Sequence, residues 1–195
     1  NPMRLRLNII VIVTALLFTP MIADNLEAEE GQLYARMKTN RGRIKLKLFE
    51  EDAPDTVDNF VRYAENDFYK DTIFHRVIQG FMIQGGGYTT DLTKKPTYEP
   101  IENEAEESGH RNKRGTIAMA RTQDPDSATS QFFINTVDNT RLDWDKASDG
   151  YGYCVFGKVV QGMDVVEEIE SVDTGSEDGM QDVPKQDVVI EDVTV

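Results

Sequence analysis

The stretch RIKLKLF, Arg43 to Phe49, alternates without a break: Ile44, Leu46 and Leu48 share one face, and Arg43, Lys45 and Lys47 share the other. A period of two sends successive side chains to opposite faces, so this is a strand with one face in a core and one in water. Just upstream, Tyr34 to Lys38 and the turn residues Asn40-Arg41-Gly42 predict the first arm of a hairpin. Just downstream, Pro54 opens a stretch in which Val57, Phe60, Val61 and Ala64 recur at helical spacing. Asp52 and Asp55 there suit the positive end of a helix. Short apolar runs follow at Ile73 to Ile78, Phe81 to Gln84, Thr116 to Ala120, Phe132 to Thr136 and Cys154 to Val160. A second helix fits Met163 to Glu170, with Val165, Val166 and Ile169 on one side, and Val188 to Val195 reads as a closing strand. About eight strands and two helices, not regularly interleaved, argue against a doubly wound α/β fold and suit a mainly β domain, a barrel or sandwich capped by helices. Asp91 to Asn112, charged and carrying Pro96 and Pro100, reads as a surface excursion within the domain.

Composition bounds the function classes. At 195 residues, 39% hydrophobic and 29% charged, the chain can build its own core, which excludes a disordered tail, a collagen-like repeat and a low-complexity linker. With 21 basic residues against 35 acidic it carries a net charge of −14 and repels phosphate backbones, so nucleic acid is not an expected partner. The spread of acidic residues reads as a solvated, self-repelling surface, with adaptation to high salt as the alternative. The lone cysteine, Cys154, makes an intramolecular disulfide impossible and reads as a small buried hydrophobe.

Residues 1–32 read as a leader and residues 33–195 as the domain. Arg4 and Arg6 precede an apolar run, Ile9 to Phe18, that loosens at Thr19 and Pro20 and meets the acidic stretch Asp24 to Glu30. That order is the pattern of a secretory signal peptide, too short to span a bilayer comfortably, with an uncleaved amphiphilic anchor as the alternative. Asn1-Pro2 ahead of Met3 resembles an expression scar. The expectation is an exported or periplasmic protein, with a cytoplasmic or leader-anchored one as the alternative.

The usual catalytic signatures are missing. The two histidines, His75 and His110, have no metal-like spacing, and neither a G-x-S-x-G elbow nor a phosphate-binding loop occurs. Gly85-Gly86-Gly87 reads as a tight loop where no Cβ fits. What remains is Phe74-His75-Arg76 in an apolar strand, followed by Phe81, Met82 and Gln84, and downstream by Ser130 to Asn135. An arginine in such a strand must find partners or face a cavity. On spacing alone Arg76 is either a salt-bridged rim arginine or a functional group, and Phe81, Met82 and Phe133 are either core or pocket.

These residues carry a resemblance. FHRVIQGFMIQGGG from Phe74 to Gly87, GTIAMART from Gly115 to Thr122, SATSQFFIN from Ser127 to Asn135 and VFGKVVQGMDVV from Val155 to Val166 resemble the signature blocks of the cyclophilins, the peptidyl-prolyl cis-trans isomerases. The likeness runs from about Leu33 to Val195, and QDVPKQDVVI, Gln181 to Ile190, is similar to the bacterial single-domain branch. It implies a closed eight-stranded antiparallel β-barrel capped by two α-helices. It also implies acceleration of rotation about Xaa-Pro bonds in folding proteins, the alternative being a proline-peptide binding module or holdase with little catalysis.

Carried over residue by residue, the resemblance implies Arg76 as the catalytic arginine, with His75 and Gln84 beside it. Phe81, Met82, Gln131, Phe133 and Leu142 match groove residues, and Ala120, Arg121 and Thr122 match the stretch along the peptide backbone. Tyr153 stands where many eukaryotic members have a groove histidine. Arg141 stands where they have a tryptophan that supports cyclosporin binding, so weak cyclosporin affinity is expected. Arg121 and Arg141 together predict a positive spot on the groove rim, favouring peptides with acidic flanks. A monomer without metal or cofactor, acting on proline-containing peptides and unfolded proteins, completes the expectation.

Overall fold

The computed structural model describes residues 31–195; the predicted leader therefore falls almost wholly outside the described residues. The hairpin forms as read: β1 (Tyr34–Thr39) pairs antiparallel with β2 (Gly42–Leu48), and Ile44, Leu46 and Leu48 are buried. The outward side of that hairpin sets Arg36 opposite Lys45 and Lys38 opposite Arg43.

After β2 come α1 (Pro54–Glu65), β3 (Thr72–Ile73), β4 (Arg76–Ile78), β5 (Met82–Gly85), the one-turn α2 (Ala105–Ser108), β6 (Thr116–Met119) and β7 (Phe132–Asn135). The chain then continues through β8 (Val155–Gln161), α3 (Met163–Glu170), β9 (Thr174–Glu177), β10 (Met180–Pro184) and β11 (Val189–Thr194). Nine strands form one antiparallel sheet in the order β3-β11-β1-β2-β8-β6-β7-β5-β4, and β9 and β10 form a separate ribbon.

The expected count of eight strands and two helices is thus corrected, among the described residues, to nine strands in the main sheet, a two-stranded ribbon and three α-helices. The ninth strand arises because the run from Ile73 to Ile78 breaks at Phe74 and His75. Its two pieces, β3 and β4, are the two edges of the sheet. Past β5 the chain returns to β3: the Ile73 amide donates to the Tyr88 carbonyl at 2.9 Å, and Thr72 bridges Thr89. The sheet therefore curls until its first and last strands are halves of one chain segment, which leaves few free edges.

α1 buries Val57, Phe60, Tyr63 and Ala64, with the Phe60 ring 5.3 Å from Phe156 and 5.9 Å from Phe132. The start of this helix matches expectation only in part, with Asp55 in its first turn. Asp52 bonds His110 at 2.8 Å, and the helix-end amides of Asp55 and Thr56 donate instead to the carboxylate of Glu104, at 3.1 and 2.7 Å. Glu104 lies in the excursion predicted for Asp91 to Asn112, so a distant carboxylate meets the positive helix end and ties that excursion to the domain.

Two apolar layers result. The larger fills the interior with Met37, Leu46, Ile83, Ile117, Ile134 and Phe156 among others. A smaller one of Met82, Ala118, Phe133 and Val155 lies apart from it. Register explains the split: Ile83 pairs with Ile134 and Ile134 with Ile117, while Phe133 pairs with Ala118. Neighbours along a strand point to opposite sides, so β5, β6 and β7 are apolar on both faces.

Candidate active site

The outer apolar layer is the floor of a groove. Met82 and Phe133 are buried in it, and Phe81, Ala120, Leu142 and Tyr153 pack against it. Together with Arg76, Gln84 and Arg121, five of these side chains and Ala120 line a hollow of about 190 Å³. The Tyr153 ring meets Phe133 edge-on, with centroids 5.7 Å apart. The sequence blocks are separated by tens of residues, yet the register of β5, β7 and β6 sets their outward residues side by side.

The polar side of the hollow is built by pairing. Arg76 lies opposite Gln84 in the β4–β5 ladder, so both side chains leave the same face. Arg76 Nη1 donates to Gln84 Oε1 at 3.5 Å, and Gln84 Nε2 donates to Gln131 Oε1 at 3.1 Å. Gly87 makes room for this chain: a Cβ there would lie 2.5 Å from Gln131 Cγ. The expected reading of the glycine run as a place where no Cβ fits thus holds, and Gly87 in particular has a consequence for the site. On its other side, Arg76 Nε is 3.9 Å from Asp182 Oδ2. The remaining guanidinium N–H groups of Arg76 have no protein acceptor among the described residues, although the side chain is only 43% exposed.

Nine of the residues expected at the site line the hollow, and three do not. Gln131 acts from behind Gln84. Thr122 is exposed beside the groove, with its amide donating to Ser127 Oγ at 2.9 Å. His75 is buried beneath it against Tyr88, with ring centroids 4.6 Å apart. Burial first, and the neighbouring Arg76 second, push the His75 pKa down to about 4, so this imidazole is neutral near pH 7.

The expected pair of rim charges is corrected in half. Arg141 does reach the rim, its guanidinium 4.7 Å from the Phe81 ring centroid. Arg121, however, has a side chain only 3% exposed and is ion-paired with Asp149. A buried arginine requires a counter-charge, and the single sequence could not show which acid supplied it. Asp149 and Asp182 are the two site-adjacent residues that sequence reasoning missed. Asp182 sits in the left-handed region, φ 61°, where the β9–β10 register shifts. Its only signal was membership of the Gln181 to Ile190 block.

The chemistry available is narrow. No cluster of His, Cys, Asp or Glu among the described residues has metal-binding geometry. The Cys154 thiol is buried with its pKa pushed up to about 12, chiefly by burial, so it is no thiolate nucleophile. What the groove offers is an apolar seat for a small ring, beside a guanidinium with free N–H groups.

A model of the family described as cyclophilin type peptidyl-prolyl cis-trans isomerase matches residues 34–195. Peptidyl-prolyl cis-trans isomerase B of Escherichia coli (strain K12) is 58% identical over 158 residues, 80% of this chain and 96% of the relative. Peptidyl-prolyl cis-trans isomerase A of Dickeya dadantii (strain 3937) is 44% identical over 187 residues, 96% of this chain and 94% of the relative. Among solved structures, a cyclophilin type peptidyl-prolyl cis-trans isomerase from Cryptosporidium parvum superimposes with a TM-score of 0.64 at 27% identity. It covers 84% of this chain and 98% of its own, and was crystallised in the presence of the dipeptide Ala-Pro.

Proposed function

The chain belongs to the cyclophilin-type peptidyl-prolyl cis-trans isomerase family, and on that premise we propose how its groove turns an Xaa-Pro bond. The enzyme is an isomerase: no covalent bond is made or broken, and the barrier of about 18–20 kcal/mol is the loss of amide resonance. Uncatalysed rotation takes tens to hundreds of seconds at 25 °C. Acceleration therefore requires tighter binding of the twisted amide than of either planar one.

The proline ring sits on Met82 and Phe133, between Phe81, Leu142 and Tyr153, where its apolar surface leaves water. Ala120, whose amide donates to the Gln131 carbonyl, offers its own carbonyl to the peptide, while Thr122 stands beside the groove with its amide bonded to Ser127 Oγ. Arg76 donates toward the prolyl nitrogen, whose lone pair is released only when the amide twists. That bond is absent in the ground state, so it raises the rate and not merely the affinity. Gln84, held by Gln131, keeps Arg76 in place. His75, neutral and buried against Tyr88, does not line the hollow and is not itself a proton donor to the peptide.

The observation that carries this reading is the arginine with free N–H groups on the edge of an apolar hollow. Its test is protease-free isomerisation of an Ala-Pro peptide by the wild type and by Arg76→Ala. A fall of about 10²–10³ in kcat, with peptide binding and folding kept, is expected for the loss of one preorganised donor. Equal rates in the two proteins would refute the role. A folded wild type that binds the peptide without accelerating exchange would leave a proline-peptide binding module.

The finer expectations follow as part of the same reading. Proline-containing peptides and folding proteins are the ligands, supported by the Ala-Pro dipeptide used with the Cryptosporidium structure. Cyclosporin binds weakly, because Arg141 lies over Phe81 and presents a charge on that wall. The protein acts as an exported or periplasmic monomer.

A further inference from the structure

Arg121 shares the wall of the hollow with Tyr153, but its side chain is almost fully buried and its charge is paired with Asp149. Its Nε and Nη2 donate to the Gly152 carbonyl at 2.9 and 2.8 Å, and Nη1 donates to the Thr122 carbonyl at 3.0 Å. Nη2 also donates to Asp149 Oδ2. The other carboxylate oxygen of Asp149 accepts from the amides of Tyr151 and Gly152, at 3.0 and 3.2 Å. One acid thus neutralises the guanidinium and folds the loop that follows it.

That loop ends in the groove. Gly152 lies so close to the chain at Trp144 that a Cβ would be 2.5 Å from the Trp144 nitrogen. The Tyr153 amide donates to the Leu142 carbonyl at 3.0 Å, and the Arg121 guanidinium carbon lies 4.5 Å from the Tyr153 ring centroid. From the excursion, Asn103 Nδ2 adds a third donor to the Gly152 carbonyl at 3.2 Å. Arg121 therefore joins the end of β6 to the loop carrying Tyr153, held by backbone carbonyls and by Asp149, which among the described residues is the acid paired with its charge.

We propose that Asp149 is a positioning residue that determines charge selectivity: by pairing with Arg121 it keeps that cation out of the peptide groove and fixes the Tyr153 wall. The inference rests on the reading that the hollow takes the proline. An exposed guanidinium at that wall would favour acidic residues flanking the proline and disfavour basic ones. Held by Asp149, Arg121 leaves the rim charge to Arg76 and Arg141. Asp149 touches neither the proline seat nor the twisted amide, so its loss acts first on KM.

The test compares wild type, Asp149→Asn, Arg121→Gln and the double variant on Ala-Pro peptides that differ only in Glu, Gln or Lys beside the proline. Asp149→Asn is expected to raise KM for the Gln peptide several-fold with little change in kcat. It should also increase the preference for Glu over Lys by roughly two- to fivefold relative to wild type, the size of one exposed ion pair, and salt should erase that gain. Arg121→Gln, which leaves the Asp149 carboxylate unpaired, shifts preference toward the Lys peptide, and the double variant returns to the wild-type ratio.

A purely structural role would lower activity on all three peptides equally, and that result overturns the proposal. If Asp149→Asn does not fold, the opposite shift in Arg121→Gln decides it alone: no shift refutes it. Failure of the wild type to isomerise the Gln peptide would instead refute the function proposed above.

Discussion

Replacing Gly87 by alanine perturbs the catalytic arginine through two intermediates without touching it. The backbone at Gly87 is not in the left-handed region, so alanine meets no conformational penalty there. Its methyl group, however, would lie 2.5 Å from Gln131 Cγ and 2.8 Å from Cδ. Carbon atoms settle near 3.5–4.0 Å, so Gln131 must withdraw by about 1 Å. Its bond from Gln84, now 3.1 Å, then passes beyond hydrogen-bonding range. Gln84 loses its anchor, and with it goes the 3.5 Å contact that orients Arg76.

A displacement of this size at a positioning group is expected to lower kcat/KM about tenfold, equivalent to roughly 1.4 kcal/mol of barrier. Stability moves less. Overpacking costs about 1–3 kcal/mol, and the stiffer unfolded chain returns about 0.4–1. A net loss of about 1 kcal/mol corresponds to about 2–4 °C in Tm. The assay is protease-free exchange of an Ala-Pro peptide beside a thermal melt. Adding Gln131→Ser should restore Tm while leaving activity low, because space returns but the hydrogen-bond relay does not. Wild-type kcat/KM in Gly87→Ala would refute the claim that Arg76 is oriented through Gln84 and Gln131.

Two further outcomes are expected of the fold. Glu104→Ala removes the carboxylate that receives the Asp55 and Thr56 amides and the Thr56 hydroxyl, and should cost about 2 kcal/mol, or about 4–8 °C in Tm. A melt unchanged within 1 °C (about 0.3 kcal/mol) would show that this helix end needs no partner. His75 is neutral when folded and has its pKa lowered from 6.5 to about 4, so the unfolded chain binds the extra proton between those values. Its contribution to stability is complete above about pH 6.5, and falls with pH toward 4, by a few kcal/mol at most. Urea unfolding from pH 4 to 7 should therefore show a shallower pH slope in His75→Phe than in wild type, and parallel slopes would contradict the burial argument.

Local patterns were legible where one face of an element meets water. β2 shows strict alternation because Arg43, Lys45 and Lys47 are on the solvent side, and α3 was readable from Val165, Val166 and Ile169 down to its ends. The polar ribbon of β9 and β10 carried no such signal, and α2 is a single turn. The strands beneath the groove also broke the rule: β7 is buried at all four of its residues. Phe132 and Ile134 fill the interior while Phe133 floors the groove, so core and site looked alike in sequence. The resemblance to a known family separated them where periodicity could not.

Residue order alone was enough for the mainly β class, the hairpin and two of the helices, because each depends on contacts between neighbours or on blocks kept whole. It was not enough to pair Arg121 with Asp149, or Arg76 with Asp182, among 35 acidic residues. Nor could it show that the two edges of the sheet are one broken strand. A charge in a sequence has no partner until the chain has folded, since Coulomb attraction acts over a few ångströms of space and not over residue number. Closing the sheet brings those distant residues to the same rim, and only then does the groove acquire its charge.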